Sequence, residues 1–427
     1  MLGLLRAEGY EMVAQPEGAD FVIVNTCGFL EIARNESLQT IEEMVALKHR
    51  GLLRGVVVAG CLAERDKSAL FERCPGVDQL VGVFGRDEIA RAADRLLGGL
   101  AEQRTVFRPA PTHPLPDGNR LRVTPRHLAF LKIAEGCDRL CTFCTIPKIR
   151  GKYCSKPLEQ VLEEAQQLAA DGVRELILVA QDTSSYGLDL YGEPRLAQLL
   201  ARLAEVAGLE WIRVMYLYPM YITDALIEVV ASGGKILPYL DLPLQHINDE
   251  VLRRMSRRVS RAETEQLIDR LRDRIKNLVL RTTLIAGFPG ETETQHQELL
   301  RFVKRRRFER LGVFVYSREP GTPSDRLDGQ LPEELGRSRR QRLLAAQQKI
   351  AFAWNKAQVG RQLEVLIDRD IPGQPDAWVG RSYADAPEVD GVVYVTGERL
   401  AAGQIVPCEI VGAQDYDLIA AAIGPPR

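Results

Sequence analysis

Three cysteines lie close together in the run Glu135-Gly136-Cys137-Asp138-Arg139-Leu140-Cys141-Thr142-Phe143-Cys144, separated by three and then two residues. A cubane [4Fe–4S] cluster presents four irons to thiolates, and a short loop with this spacing reaches three of them. The fourth iron stays open to an outside ligand. The amino and carboxylate groups of S-adenosylmethionine (SAM) would chelate it, and an electron from the cluster would cleave the sulfonium to a 5′-deoxyadenosyl radical. Two plainer uses fit less well. A zinc site asks for paired C-x-x-C units or a matching histidine pair, which this neighbourhood lacks. An electron-transfer ferredoxin asks for a fourth cysteine in the run, and the next one, Cys154, lies past Gly151.

The other cysteines divide by position. Asn25-Thr26-Cys27-Gly28 and Ala59-Gly60-Cys61 each follow a hydrophobic strand-like run. Ligands of open parallel sheets bind at the carboxyl edge, so two thiolates arriving there could share a metal site. Equally, both could be small buried hydrophobes. Cys74 follows a helix rather than a strand and is a poor ligand candidate, and Cys154, Cys408 and Trp354 read as structural. Eight cysteines in a long chain without a secretion signal point to metal ligation or catalysis before disulfides.

The elements that must position these residues fall into three stretches. Residues 1–100 alternate helical signals with apolar strands at 21–24, 56–59 and 80–83, which predicts an α/β domain on a parallel sheet. Residues 101–125 hold Pro109, Pro111, Pro114, Pro116, Asp117-Gly118 and Pro125 and read as a linker. Over 126–356 strands are expected at 128–134, 175–180, 211–217, 239–244, 279–286 and 311–316, with helices between them. The clearest helix is 158–170, where Leu158, Val161, Leu162, Ala165 and Leu168 form one stripe, Pro157 precedes it and Gly172 follows. Six such units predict a partial (β/α)6 barrel, whose chemistry belongs on the loops after the strands. Residues 358–427 turn to short strands at 362–367, 378–382, 392–395 and 405–411, a small all-β barrel.

That placement singles out further residues. Gln181 and Asp182 end the second barrel strand, Gln245 and His246 the fourth, and Gly287 opens the Gly-Phe-Pro-Gly turn after the fifth. A glutamine at a strand end is often only a backbone cap, a histidine there often a satisfied structural imidazole, and the glycine serves either a close approach or the turn alone. The basic runs at 253–258, 304–307 and 337–340 lie on helical segments and read first as solvated faces.

Composition sets outer bounds. The 427 residues are 45% hydrophobic and 27% charged with a formal net charge of −2, so no global field pulls the chain toward a polyanion. The all-β stretch differs, with five arginines against eleven carboxylates, a net charge of −6 that suits a basic partner. No run reaches the roughly 18 apolar residues of a membrane span, and the first ten residues lack a basic flank and cleavage site, so no membrane association and a cytoplasmic location are expected.

The three-cysteine loop, followed by Ile146-Pro147-Lys148-Ile149-Arg150-Gly151, resembles the radical-SAM core of the methylthiotransferase family, in particular its ribosomal-protein branch. The likeness extends over Gln181-Asp182-Thr183-Ser184-Ser185-Tyr186-Gly187, the run from Leu237 to His246, Gly287-Phe288-Pro289-Gly290-Glu291-Thr292 and Ser317-Arg318-Glu319-Pro320-Gly321-Thr322-Pro323, and so covers nearly the whole chain. It implies an N-terminal methylthiotransferase domain, a radical-SAM barrel and a C-terminal TRAM domain. It also implies two [4Fe–4S] clusters: one on Cys137, Cys141 and Cys144 with SAM, and an auxiliary one for which Cys27 and Cys61 match two of three family ligands. The third family ligand lies on a strand upstream of the helix with which this sequence opens, so the first strand of the sheet is expected to be missing. The resemblance places the region of Gln181, Asp182, Gln245, His246 and Gly287 beside SAM. One SAM methylates sulfur held at the auxiliary cluster; a second, cleaved with an electron from an external donor, yields the radical that opens a C–H bond to the methylthio group. In the ribosomal branch that carbon is the β-carbon of an aspartate in small-subunit ribosomal protein S-twelve. The tRNA-adenosine branch and a non-catalytic iron–sulfur scaffold are the alternatives, and the acidic terminal module favours a basic protein over a phosphate backbone.

Overall fold

The computed structural model describes residues 1–100, 102–111, 114 and 120–427; Pro116 and Asp117-Gly118 of the expected linker lie outside the described residues. The chain divides into two compact units. One is made of Met1–Arg122, Glu135–Cys154 and Ser317–Asp325, the other of Val123–Ala134, Ser155–Tyr316 and Arg326–Arg427. The three-cysteine loop therefore packs with the N-terminal residues, although in the chain it lies between barrel strands.

The first unit is built on a parallel four-stranded sheet in sequence order, β1 (Phe21–Thr26), β2 (Gly55–Gly60), β3 (Gln79–Val81) and β4 (Thr105–Val106). Helices cover both faces of β2, which is why its run Gly-Val-Val-Val-Ala-Gly is apolar without alternation. Val56 and Val58 pack on Leu38, Ile41 and Val45 of the helix Glu31–His49, while Val57 and Ala59 pack on Ile89, Ala92 and Ala93 of Ile89–Leu97. The expected third strand ends two residues early. The Val83 N–H donates to Glu64 Oε2 at 2.9 Å instead of to a neighbouring strand, and Val83–Glu88 winds into a 3-10 helix.

The second unit carries an all-parallel six-stranded sheet, β5 (Leu128–Lys132), β6 (Glu175–Val179), β7 (Trp211–Val214), β8 (Ile236–Asp241), β9 (Val279–Ala286) and β10 (Arg310–Val315). The strands follow sequence order, and β5 and β10 remain unjoined edges among the described residues, so the barrel is incomplete. The helix Leu158–Ala170 lies where its apolar stripe predicts. β7 ends at Val214 instead of at residue 217 because Tyr216, with φ +60°, turns the chain out of the sheet and gives its N–H to Asp241 Oδ2 at 3.1 Å; β5, β6, β8 and β10 also stop one to three residues before their expected ends.

A closed five-stranded barrel completes this unit: β11 (Gln362–Asp370), β12 (Ala377–Arg381), β13 (Val393–Thr396), β14 (Ile405–Gln414) and β15 (Asp417–Ala422), in the order β11-β12-β13-β15-β14. Its Leu366, Ala384 and Ile405 share an apolar cluster with Ile177, Trp211 and Tyr239 of the parallel sheet. Beside it lies a buried network of charges. Glu175 accepts from Arg213 at 2.8 Å and from Arg381 at 2.5 Å, and Arg381 also holds Asp368, which meets His127 at 2.9 Å. Arg310 pairs with Asp385, and Arg281 with Asp390.

Glu175 is fully buried, and burial alone would push its carboxyl pKa up; Arg381 and Arg213 reverse this and hold it below the usual range. Glu175→Gln removes one anion from a balanced set of two carboxylates and two guanidinium groups. Loss of one member of a buried pair costs about 3–5 kcal/mol, and chemical denaturation is expected to show a loss of that size. The double change Glu175→Leu with Arg213→Met keeps Asp368 opposite Arg381, so it is expected to cost less than the single one.

Candidate functional site

The three-cysteine loop is shaped by its glycines. Gly136 has φ +74°, and a Cβ on it would lie 2.1 Å from the Lys152 carbonyl oxygen, so only glycine lets the outgoing and returning strands of the loop approach. The Cys137 N–H donates to Gly151 O at 3.2 Å, the Tyr153 N–H to Asp138 Oδ1 at 3.0 Å, and the Ser324 N–H to Thr142 O at 2.9 Å. Two backbone donors point at sulfur: Arg139 N at Cys137 Sγ and Ile146 N at Cys144 Sγ, each at 3.4 Å. Such N–H···S contacts favour thiolate over thiol. Cys137 is buried, Cys141 and Cys144 are half-buried, and none of the eight cysteines is in a disulfide. Among the described residues no three His, Cys, Asp or Glu side chains converge as they would around one ion. Three cysteines spaced by three and two residues, with backbone N–H groups at two of their sulfurs, offer one thiolate to each of three irons. The donor set fits a cluster.

Cys27 and Cys61 extend two adjacent strands, whose register pairs Thr26 with Gly60. A Cβ on Gly28 would lie 2.6 Å from Cys61 O, and one on Gly60 2.8 Å from Thr26 O, so both cysteine-bearing turns need glycine for their close approach. Cys27 is exposed and Cys61 half-buried. By contrast Cys74 sits in the apolar core with its pKa raised by burial, and Cys408 is buried with its thiol pushed up to about 11. Cys154 is buried as well.

A polar frame that the sequence did not disclose fastens these turns. Glu319, whose side chain is 2% exposed, accepts from the Glu31 N–H at 2.8 Å, from Ser317 Oγ at 2.8 Å, from Arg65 at 3.1 Å and from Arg34. Arg65 also donates to Gly28 O at 2.8 Å. Lys148 donates to Gly321 O, tying the segment after the three cysteines to Ser317–Asp325. Arg150 donates to Glu135 Oε1 at 2.8 Å and to Cys61 Sγ at 3.3 Å. The Ser-Arg-Glu-Pro-Gly-Thr-Pro run was visible as a motif, but nothing local could reveal a carboxylate serving arginines more than 250 residues away.

In the second unit the other expected residues lie at or just past strand ends. Gln181 follows β6, and its Oε1 is buried with no hydrogen-bond partner. The Asp182 carboxylate accepts from Ser184 Oγ and Ser185 Oγ, both at 2.7 Å, and caps the short 3-10 turn Thr183–Ser185. Gln245 has φ +70° and bridges to Leu284 through its backbone. His246 is buried and accepts the Asn248 N–H at Nδ1, 3.0 Å away, which leaves the ring proton on Nε2, directed at Glu291 Oε1 at 3.5 Å. That distance is long for a hydrogen bond. Gly287 has φ +79°, lies against the Gly336 backbone and donates its N–H to Glu291 Oε2 at 2.5 Å. Burial alone would push the Glu291 carboxyl up, but His246, His296 and Arg339 hold it well below the usual range.

Residues 131–303 match the radical SAM superfamily, residues 359–423 the TRAM domain, and residues 1–82 the uncharacterized protein family UPF0004. The chain is 45% identical to a ribosomal protein uS12 methylthiotransferase, RimO, of Lachnoclostridium phytofermentans, over 99% of this chain and 96% of that one. It is 45% identical to the protein of the same name from Symbiobacterium thermophilum, over 100% and 88%, and 42% identical to that from Clostridioides difficile, over 98% and 94%. Among solved structures it is similar to the radical S-adenosylmethionine methyltransferase TsrM of Kitasatospora setae. The form with cobalamin and a [4Fe–4S] cluster gives TM-score 0.52 at 18% identity over 73% of this chain and 64% of that one, so the chain spans somewhat under two-thirds of it. The form with tryptophan and a SAM analogue gives 0.54 at 18% identity over 87% and 69%. At such identity the likeness is one of fold.

Removing the Glu319 charge by Glu319→Gln leaves Arg34 and Arg65 without their common anion. Each charge-assisted hydrogen bond lost is worth about 1.5–3 kcal/mol, so hydrogen exchange in residues 27–34 and 61–66 is expected to rise tenfold or more while β9 stays protected. Glu319 has a pKa below the ordinary carboxylate value: burial would raise it, and Ser317 and Arg34 more than reverse this. Its contribution is therefore present at neutral pH and is lost as the pH falls through the acid range, so the two proteins should converge there.

Proposed function

The chain belongs to the ribosomal protein uS12 methylthiotransferase family, and from that premise we propose that it replaces a hydrogen on the β-carbon of an aspartate of uS12 with a methylthio group, by radical-SAM chemistry in the cytoplasm. The observation that carries this reading is the loop with Cys137, Cys141 and Cys144, held by Gly136 and supplied with backbone N–H donors at two of its sulfurs. In the proposal these three thiolates hold the cluster that binds SAM, and Cys27 and Cys61 are two ligands of a second cluster. When bound, the clusters and SAM supply the electron, the sulfur and the radical.

The chain's own residues have distinct tasks. Arg139 N and Ile146 N stabilise thiolate at Cys137 and Cys144. On the barrel we assign Gln181, Asp182, Gln245, His246 and Gly287 to the surroundings of SAM. The buried, unpartnered Gln181 Oε1 supports that assignment because it is an acceptor suited to an ammonium. Asp182 holds the turn that follows Gln181, and the Gly287 turn allows backbone to come close to a ligand. The external electron donor, and whether uS12 is met free or on the ribosome, belong to the same proposal. No helix is long and apolar enough to cross a membrane among the described residues.

Anaerobic protein with reconstituted iron, SAM and dithionite is expected to form 5′-deoxyadenosine, and to add one methylthio group to uS12 by intact-mass measurement. Cys137→Ala, Cys141→Ala and Cys144→Ala together should abolish both. Transfer RNA in the same mixture should stay unmodified; its modification in place of uS12 would put the chain in the adenosine-modifying branch. A wild-type protein that binds iron but forms no 5′-deoxyadenosine would mark a scaffold.

A further inference from the structure

Arg150 joins two groups that sequence keeps 74 residues apart, Glu135 and Cys61. One guanidinium nitrogen donates to Glu135 Oε1 at 2.8 Å, two residues before Cys137, and the other donates to Cys61 Sγ at 3.3 Å. The short helix Ile146–Arg150 delivers this side chain, and it packs against the helix Cys61–Asp66 that begins with the second cysteine. The Arg150 side chain is 27% exposed and that of Glu135 11% exposed, so the fork is held in a partly dehydrated setting. Glu135 provides only one negative charge, and the guanidinium reaches past it to sulfur.

We propose that Arg150 is a positioning residue shared by the two iron–sulfur sites: it fixes the base of the three-cysteine loop through Glu135 and, through its N–H···S bond to Cys61, raises the reduction potential of the auxiliary cluster. The inference rests on the reading of Cys61 as a cluster ligand. A hydrogen bond and a positive charge at a ligand sulfur both stabilise the reduced, more negative cluster, so such contacts move the potential upward. Arginine suits this place better than lysine because its planar fork reaches carboxylate and sulfur at once and stays charged at any working pH. The device also couples the sites mechanically, since a shift of Cys61 moves the same guanidinium that braces Glu135.

The test isolates the auxiliary site by replacing Cys137, Cys141 and Cys144 with alanine in the full chain. After anaerobic reconstitution with iron and sulfide, iron content, the electron paramagnetic resonance spectrum of the reduced cluster and its midpoint potential are measured in that background with Arg150, Arg150→Met and Arg150→Lys. Arg150→Met is expected to move the midpoint to more negative potential and to change the g-values. Arg150→Lys, which keeps the charge but not the fork, should fall between and serves as the readout if the methionine variant does not fold. If the triple-alanine background holds no iron, the auxiliary-site reading fails and takes this inference with it. If it holds iron and neither Arg150 variant moves midpoint or spectrum, the inference alone is overturned.

Discussion

One carboxylate, Glu319, governs the geometry of the first unit. Two turns bearing Cys27 and Cys61 leave neighbouring strands, and each is followed by a helix whose arginine, Arg34 or Arg65, reaches back to the same buried anion. Burying one carboxylate against two guanidinium groups is favourable only if its remaining lone pairs are also filled, and Ser317 Oγ and the Glu31 N–H do so. The arrangement is rigid because the four donors come from three separate segments: Glu31 and Arg34 from the helix Glu31–His49, Arg65 from the helix Cys61–Asp66, and Ser317 from the turn that carries Glu319. Glycines at positions 28 and 60 then let the turns approach more closely than any side chain would permit.

Charge plays a different part in the second unit. The acidic excess of the C-terminal barrel looks, in the sequence, like a surface awaiting a basic partner. Three of its carboxylates are already engaged within the unit: Asp368 by Arg381 and His127, Asp385 by Arg310, and Asp390 by Arg281 and the Tyr239 hydroxyl. Part of the negative charge thus fastens the small barrel to the parallel sheet, and the field left for an outside partner is weaker than composition alone suggests. Arg310 also stacks over the Trp354 ring at 4.9 Å, which gives that tryptophan its structural place.

Much of the architecture was legible because it rests on local pattern. Apolar runs without alternation marked the buried parallel strands, and the stripe in 158–170 marked its helix. The three-cysteine loop was legible as a candidate because its thiols are neighbours in sequence. What escaped notice depends on distance or on competing signals. The strand Asp417–Ala422 is rich in alanine, which favours helix in isolation, and only pairing with β13 and β14 makes it extended. The strand β7 stops at Val214 because Asp241, on another strand, captures the Tyr216 N–H. Glu319, Arg34, Arg65 and Arg150 carry no spacing signature, since their partners come from remote segments.

His246 and Gly287 show how the barrel rim is held by a layer behind it. Glu291 meets the Gly287 N–H with one oxygen and the His246 and His296 rings with the other, and Arg339 from the helix Glu333–Lys356 closes the set. All four side chains are buried at 3% exposure or less. The turn after β9 and the turn after β8 are therefore fixed to one anion, whose charge is maintained by its neighbours rather than by water. Thr292 caps the next helix through its bond from the Gln295 N–H, so the turn has no slack on its other side. The backbone at these two strand ends is thus set in place by buried contacts of the protein itself.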